Sequence, residues 1–288
     1  KQEIEERPIP KPGTGEALVK VAFCGVCGSD IPRIFEKGTY HFPTVCGHEF
    51  SGVVEALGSG VTRVKEGDAV AVFPLLWCGK CEACERGHYV QCADYDYYGS
   101  RRDGGFQEYL CVDERNLLKI PSGVSLEEAA MTEPAAVALH AVSSAGSATG
   151  KAAVVFGAGP IGLMVAQWLR ATGAAQIFIF DVVKEKTSLA KKLGFELAFD
   201  SKTENPQKKI EELTAGRGAS IAIDAAGVPA TLLQAMQCAA PSGHVVILGN
   251  PSGAANLEAA LISRLMRREV TLHGVWNSEY HVNGNDEW

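Results

Sequence analysis

AAVVFGAGPIGLMVAQWLRATG, residues 152–173, sets an apolar run, a glycine-rich turn and an amphipathic segment in direct succession. AAVVF is short, apolar and Val-rich, the pattern of a buried strand. IGLMVAQWLRATG carries apolar residues at helical spacing and closes on Gly173, a helix with a glycine stop. Between them stand Gly157, Gly159, Pro160, Ile161 and Gly162. Glycines there permit a tight turn and let backbone approach a pyrophosphate, which the N-terminus of the following helix attracts. Asp181 ends the next apolar run, QIFIFD, nineteen residues past Gly162. A carboxylate at that distance hydrogen-bonds an adenosine ribose diol and repels a 2′-phosphate. The spacing therefore predicts a dinucleotide site, with NAD favoured over NADP.

The same rhythm continues outward. KEKTSLAKKLG reads as a helix ended by Gly194, and SIAIDAA and HVVILG read as strands with the helix ATLLQAMQCAA between them. Alternating β and α units build a parallel sheet covered on both faces. Upstream the pattern differs. EALVKVAFCGV, SGVVEALG, GDAVAVFPL and GGFQEYLCVDERNLLKI are Val-rich segments broken by Gly and Pro, at the spacing of an antiparallel barrel. SLEEAAMTEPAAVALHAVSSA begins with a capping box, Ser125 and Glu128, and predicts one or two helices broken near Pro134.

Cys78, Cys81, Cys84 and Cys92 follow the spacing C-x2-C-x2-C-x7-C, so four of the nine cysteines fall within fifteen residues. Four thiolates this close can wrap one tetrahedral Zn²⁺ at about 2.3 Å per bond. A disulfide cluster is the alternative, but small secreted scaffolds are its usual home. The loop supplies all four ligands and leaves no position for substrate, so this zinc is expected to be structural. A reducing cytoplasm is the expected compartment.

The 288 residues suffice for two domains with sizeable cores. A net charge of −7 argues against nonspecific nucleic-acid binding, which needs many Lys and Arg. No apolar stretch approaches the roughly 20 residues of a membrane span, so no membrane partner is expected. An anionic substrate would need a local cationic pocket in so acidic a chain.

Cys27 sits in CGSD, and His48 and Glu49 sit in GHEFSGVVEALGSGV. The pattern GHE-x2-G-x5-G-x2-V resembles the signature of the zinc-containing medium-chain alcohol dehydrogenases. The tetracysteine lobe and GAGPIG occur in that family in the same order, and the resemblance covers essentially the whole chain. Within the family, CGSDIPRIF, FPLLWCGKCEACERGHYVQCADYDYYGSRRDGGFQEY and RREVTLHGVWN are similar to the polyol-phosphate branch. That branch oxidises galactitol 1-phosphate to tagatose 6-phosphate with NAD, in galactitol metabolism. Sorbitol and threonine dehydrogenases share the framework but are less similar in these stretches.

The resemblance implies an α/β chain, with a GroES-like β-barrel catalytic domain over 1–136 and a Rossmann, doubly wound parallel-sheet domain over 137–275. Residues 276–288 would begin the return to the first domain, with the rest of that segment and part of the N-terminal strand absent. It implies two Zn²⁺ per chain. Cys27, His48 and Glu133 (in TEP) would hold the catalytic zinc, with Glu49 close enough to approach the metal or its water. Ser29 would be the first proton acceptor. Pro32 stands where liver-type members carry a histidine that relays the proton to solvent. Arg33, Arg101 and Arg102 are the candidate partners of a substrate phosphate, because an arginine fork can pair two phosphate oxygens. A homodimer through the Rossmann domain is the expected assembly, with EVTLHGVW a contributing strand. The expected activity is hydride transfer from a secondary alcohol of a polyol phosphate to NAD. The alternative is a sorbitol- or butanediol-type enzyme acting on non-phosphorylated polyols. A non-catalytic binding protein would have lost a catalytic ligand, and all three are present.

Overall fold

The Val-rich first third of the chain folds into short strands joined by glycine turns. In the computed structural model, which describes residues 3–282 and 286–288, the order is β1 (Glu16–Gly25), the short α1 (Asp30–Pro32), β2 (Glu49–Leu57), β3 (Ala69–Val72), β4 (Leu75–Leu76), α2 (Glu82–Glu85), β5 (Asp96–Tyr97), β6 (Tyr109–Asp113), β7 (Leu117–Lys119) and α3 (Leu126–Ala130). Five of these strands form an antiparallel sheet in the order β6-β1-β2-β3-β7, and β4 pairs with β5. Irregularities in the β1–β2 register, at Leu18/Val19 and Val21/Phe23, bend and twist this sheet. Val19, Phe50, Val54, Val70, Val72 and Val112 fill its core. The pairing of Gly25 with Glu49 brings the end of β1 beside the start of β2.

Two compact units emerge, one of residues 1–136 with 278–288, the other of residues 137–277. The returning segment packs on the cysteine-rich lobe of the first unit. The Tyr280 ring lies 4.3 Å from that of Phe73, and its hydroxyl donates to the Arg115 carbonyl at 2.6 Å. Part of that segment, 283–285, lies outside the described residues.

α3 is capped as its sequence predicts. The Ser125 hydroxyl accepts from the Glu128 N–H, and the Glu128 carboxylate accepts from the Ser125 N–H. The break near Pro134 falls at Met131, three residues before the proline. Pro134 sits in the first turn of α4 (Thr132–Ser144), where a missing N–H costs no intrahelical bond.

The second unit alternates β8 (Ala152–Phe156), α5 (Pro160–Ala171), β9 (Gln176–Asp181), α6 (Lys184–Lys192), β10 (Ala198–Asp200), α7 (Pro206–Leu213), β11 (Ala219–Asp224), α8 (Pro229–Cys238), β12 (Ala239–Ile247), α9 (Ala259–Arg267) and β13 (Thr271–Gly274). Its six strands are parallel, in the order β10-β9-β8-β11-β12-β13. This is the doubly wound order of a Rossmann fold, with its switch point between β8 and β11. Period-two alternation puts Ala153, Val155, Ile177 and Ile179 in one core and Val154, Phe156, Phe178 and Phe180 in the other. Both faces are covered, so the strands read as unbroken apolar runs. α7 and α9 lie outside the segments assigned from sequence. α7 carries a start signal all the same, since the Asn205 side chain accepts from the Lys208 N–H ahead of Pro206.

Candidate active site

The loop after β1 carries Cys27, and His48 and Glu49 enter β2 beside it. One donor atom from each of Cys27, His48 and Glu49 lies within 4.8 Å of the others. Glu133, in the first turn of α4, stands outside that set. Its Oε1 accepts from the Tyr97 hydroxyl at 3.1 Å. Gly25 admits Glu49, because a Cβ on Gly25 would lie 2.3 Å from a Glu49 carboxylate oxygen. The Ser29 hydroxyl donates to Cys27 Sγ at 3.2 Å and accepts from Arg33 Nη1 at 2.7 Å.

Asp30 organises this cluster, and nothing in the sequence analysis singled it out beyond its place in CGSD. It is fully buried. One carboxylate oxygen accepts from the Cys27 N–H at 3.0 Å, and the other lies 3.4 Å from His48 Nδ1 and 3.7 Å from Arg33 Nη1. A carboxylate facing one imidazole nitrogen leaves the other for a metal, the usual outer-shell arrangement of a zinc histidine.

Burial and mutual charge shift the groups of this cluster from their ordinary values. Burial pushes Glu133 up to about 7, with His48 opposing and Glu49 adding to the rise. Burial pushes Glu49 up as well. Burial alone would lower His48, but Asp30, Cys27 and Glu133 raise it to about 10. Two buried carboxylates, a thiol and an imidazole make a sulfur, nitrogen and oxygen donor set that suits zinc.

The four lobe cysteines are equally suited. The sulfur of Cys81 lies 3.5 Å from that of Cys84 and 3.9 Å from that of Cys92, and Cys78 and Cys84 are 3.9 Å apart. A tetrahedron with ~2.3 Å bonds has edges of about 3.8 Å. A disulfide would need about 2.05 Å. Backbone N–H groups of Ala93 and Cys84 lower the Cys81 thiol to about 6, whereas burial pushes Cys84 up to about 12.

The residues of the candidate dinucleotide turn lie between β8 and α5, the strand–turn–helix unit read from the sequence. Gly159 caps α5 with Pro160 at its first position. A Cβ on Gly162 would come within 1.9 Å of the Gly157 carbonyl oxygen, so only glycine lets α5 pack this close to the turn. A Cβ on Gly159 would meet nothing, which leaves that face open to a pyrophosphate. Asp181 closes β9 and accepts from the Ala158 N–H at 2.7 Å and the Val183 N–H at 2.8 Å. Each carboxylate oxygen keeps lone-pair capacity for a diol. Lys186 Nζ lies 3.9 Å from Asp181, a cation that the sequence reading did not single out.

The three arginines differ in placement. Arg33 lies beside the Cys27–His48–Glu49 cluster, bonded to Ser29 and 3.7 Å from Asp30. Arg101 is held between the Tyr40 and Tyr95 rings, 4.1 and 4.5 Å from their centroids. Arg102 donates to Asp96 at 2.6 Å.

Residues 13–122 match the alcohol dehydrogenase GroES-like domain, and residues 160–286 match the zinc-binding dehydrogenase family. With its paired sheets and donor clusters, the chain belongs to the zinc-containing medium-chain alcohol and polyol dehydrogenases and is an oxidoreductase. It is 39% identical over 273 residues to galactitol 1-phosphate 5-dehydrogenase of Escherichia coli (strain K12), covering 95% of this chain and 79% of that one. The crystal structure of the Escherichia coli galactitol-1-phosphate dehydrogenase aligns with a TM-score of 0.91 over 96% of this chain and 80% of that one, at 39% identity. A zinc-binding dehydrogenase from Sinorhizobium meliloti 1021 bound to NADP aligns at 0.87 and 30% identity, over 94% and 80%. 2R,3R-butanediol dehydrogenase from Bacillus subtilis aligns at 0.85 and 35%, over 96% and 81%. Among the described residues no helix is long and apolar enough to cross a membrane.

Proposed function

We propose that the chain oxidises a secondary alcohol of a polyol phosphate, galactitol 1-phosphate to tagatose 6-phosphate, with NAD as hydride acceptor. The observation that carries this is the Cys27–His48–Glu49 cluster with a hydroxyl, Ser29, and a cation, Arg33, bonded beside it. The likeness to the Escherichia coli enzyme supports the substrate class.

In this reading Cys27, His48 and Glu133 hold a catalytic zinc, with Glu49 free to approach it, and Cys78, Cys81, Cys84 and Cys92 hold a structural one. Zinc supplies Lewis-acid polarisation of the substrate hydroxyl, and NAD accepts the hydride. Ser29 keeps one lone pair after accepting from Arg33 and is the first acceptor of the substrate proton. Pro32 closes α1 and offers no donor or acceptor side chain, so the proton leaves by a route other than a relaying histidine there. Gly157, Gly159, Pro160, Ile161 and Gly162 carry the pyrophosphate, and Asp181 the ribose. The nine cysteines are unpaired in disulfides, in keeping with a cytoplasmic enzyme. The edge strand β13, with Leu272 exposed, suits a homodimer formed through the second unit.

NAD reduction across a panel of galactitol 1-phosphate, galactitol, sorbitol and 2,3-butanediol tests the substrate. The phosphorylated polyol is expected to give the highest kcat/KM. Equal or better turnover of a non-phosphorylated polyol would favour the second reading, a butanediol- or sorbitol-type enzyme, which the Bacillus subtilis neighbour supports.

Asp181→Ala is expected to lower the ratio of kcat/KM for NAD to that for NADP by at least about tenfold, the scale of one lost charged hydrogen bond. It also strips the acceptor from two backbone N–H groups, so the melting temperature falls with it. A wild type that prefers NADP would reject the assignment.

Among the arginines, Arg33 is the favoured phosphate partner, since it stands against Ser29 beside the Cys27 cluster, while Arg101 is stacked between tyrosines and Arg102 is paired with Asp96. Arg33→Ala is expected to raise KM for galactitol 1-phosphate by about 10–100-fold, the loss of a charge-assisted contact. Its effect on weak sorbitol oxidation should be much smaller. Equal losses on both substrates would assign Arg33 to holding Ser29 alone.

A further inference from the structure

Tyr97 touches two side chains of the proposed catalytic centre. Its hydroxyl donates to Glu133 Oε1 at 3.1 Å, and its ring meets the His48 ring edge-on with centroids 5.8 Å apart. It is 8% exposed, so solvent offers that hydroxyl little competition. A glutamate side chain has three rotatable bonds, and holding one oxygen leaves the other presented in a restricted set of directions. Outer-shell partners of this kind orient metal ligands and raise their affinity.

Tyr97 is itself held by the cysteine lobe. It ends β5, and the β4–β5 pairing sets Leu75 opposite Tyr97 and Leu76 opposite Asp96. β4 runs through Trp77 into Cys78, and β5 follows shortly after Cys92. The pair therefore closes the base of the tetracysteine loop. Leu75, Trp77 and Tyr97 share one apolar core with Cys84 and Cys92. The bond to Glu133 thus joins this lobe to the first turn of α4.

We propose that Tyr97 is a positioning residue that fixes the Glu133 carboxylate for the catalytic metal and ties the geometry of that centre to the tetracysteine lobe. The proposal rests on Glu133 serving as a metal ligand.

The test is metal competition on the whole chain, with zinc and then cobalt(II) titrated against a chromophoric chelator. Y97F keeps the ring and removes only the donor. It is expected to weaken the weaker of the two metal sites by about 10–100-fold, the usual effect of losing an outer-shell partner, and to leave the tighter site unchanged. In an E133Q background the same substitution should change affinity by less than about twofold, because its contact acts through the carboxylate. Unchanged affinity in Y97F would overturn the proposal. An equal loss in the E133Q background would overturn it too, by showing that Tyr97 acts through packing. Wild-type affinity in E133Q alone would remove Glu133 as a ligand and overturn the underlying reading as well. Should Y97F not fold, Y97M removes the same donor while a flexible apolar side chain fills the ring's place. It carries the same expected loss, and unchanged affinity there counts against the proposal.

Discussion

Ser29→Ala is expected to lower kcat by about 10²–10⁴-fold, the range for a positioned general acid–base group, while metal content stays at the wild-type level. The geometry separates the two effects. The Ser29 hydroxyl donates to Cys27 Sγ and accepts from Arg33, but the Ser29 backbone N–H also points at that sulfur, at 3.5 Å. Alanine removes the first two contacts and keeps the third. Cys27 also keeps its anchor to Asp30 through its own N–H. The thiolate therefore holds its place while the proton loses its first acceptor. Single-turnover NADH formation, under conditions where hydride transfer limits the rate, measures this directly. An unchanged rate would remove Ser29 from proton transfer, and a parallel loss of zinc would make its role structural.

Graded chelation is expected to abolish turnover with the first equivalent of zinc removed, while the second equivalent stays with the folded chain. Four thiolates at tetrahedral spacing close the lobe site. The Cys27 centre must keep one position exchangeable for substrate and has fewer sulfur donors. Removing its metal also leaves buried carboxylates close together in a low-dielectric site. Removing the lobe metal should instead unfasten the core around Trp77 and Tyr97, and appear as a fall in melting temperature. Metal analysis beside activity at each step checks both expectations. One zinc per intact, active chain would defeat the two-site assignment.

Much of this protein is local in sequence, and those parts were legible. The four lobe cysteines lie within fifteen residues, so their spacing alone predicts that they cluster. The strand–glycine–helix unit at 152–173 and the acid at Asp181 are likewise set by short-range periodicity, and the parallel sheet follows from repeating that unit. The helix break near Pro134 lies three residues before the proline itself, because a first helical turn tolerates proline. α7 and α9 went unassigned because their sequences are mostly polar or carry little buried surface.

The proposed catalytic centre is of another kind, and its candidate donors come from a loop, a strand start and a helix start far apart in the chain. Cys27, His48, Glu49 and Glu133 were recognised through motifs, not through any spacing that could show them meeting. Only the β1–β2 pairing, with Gly25 opposite Glu49, brings the first three together. Asp30 and Tyr97 had no sequence signal strong enough to select them, because an acid in a turn and a tyrosine in an aromatic run are common. Their roles depend on burial and on distances of 3–4 Å to partners elsewhere in the chain. The arginines show the same limit. Three looked alike in sequence, and packing left one beside Ser29, stacked one between tyrosines and paired one with Asp96. Sequence by itself determined the two folds, the clustering of the four lobe cysteines and the glycine turn between β8 and α5, because each is written in contiguous periodicity or spacing. Tertiary structure alone decided which buried polar groups share a low-dielectric site, because that follows from strand register and packing between distant segments.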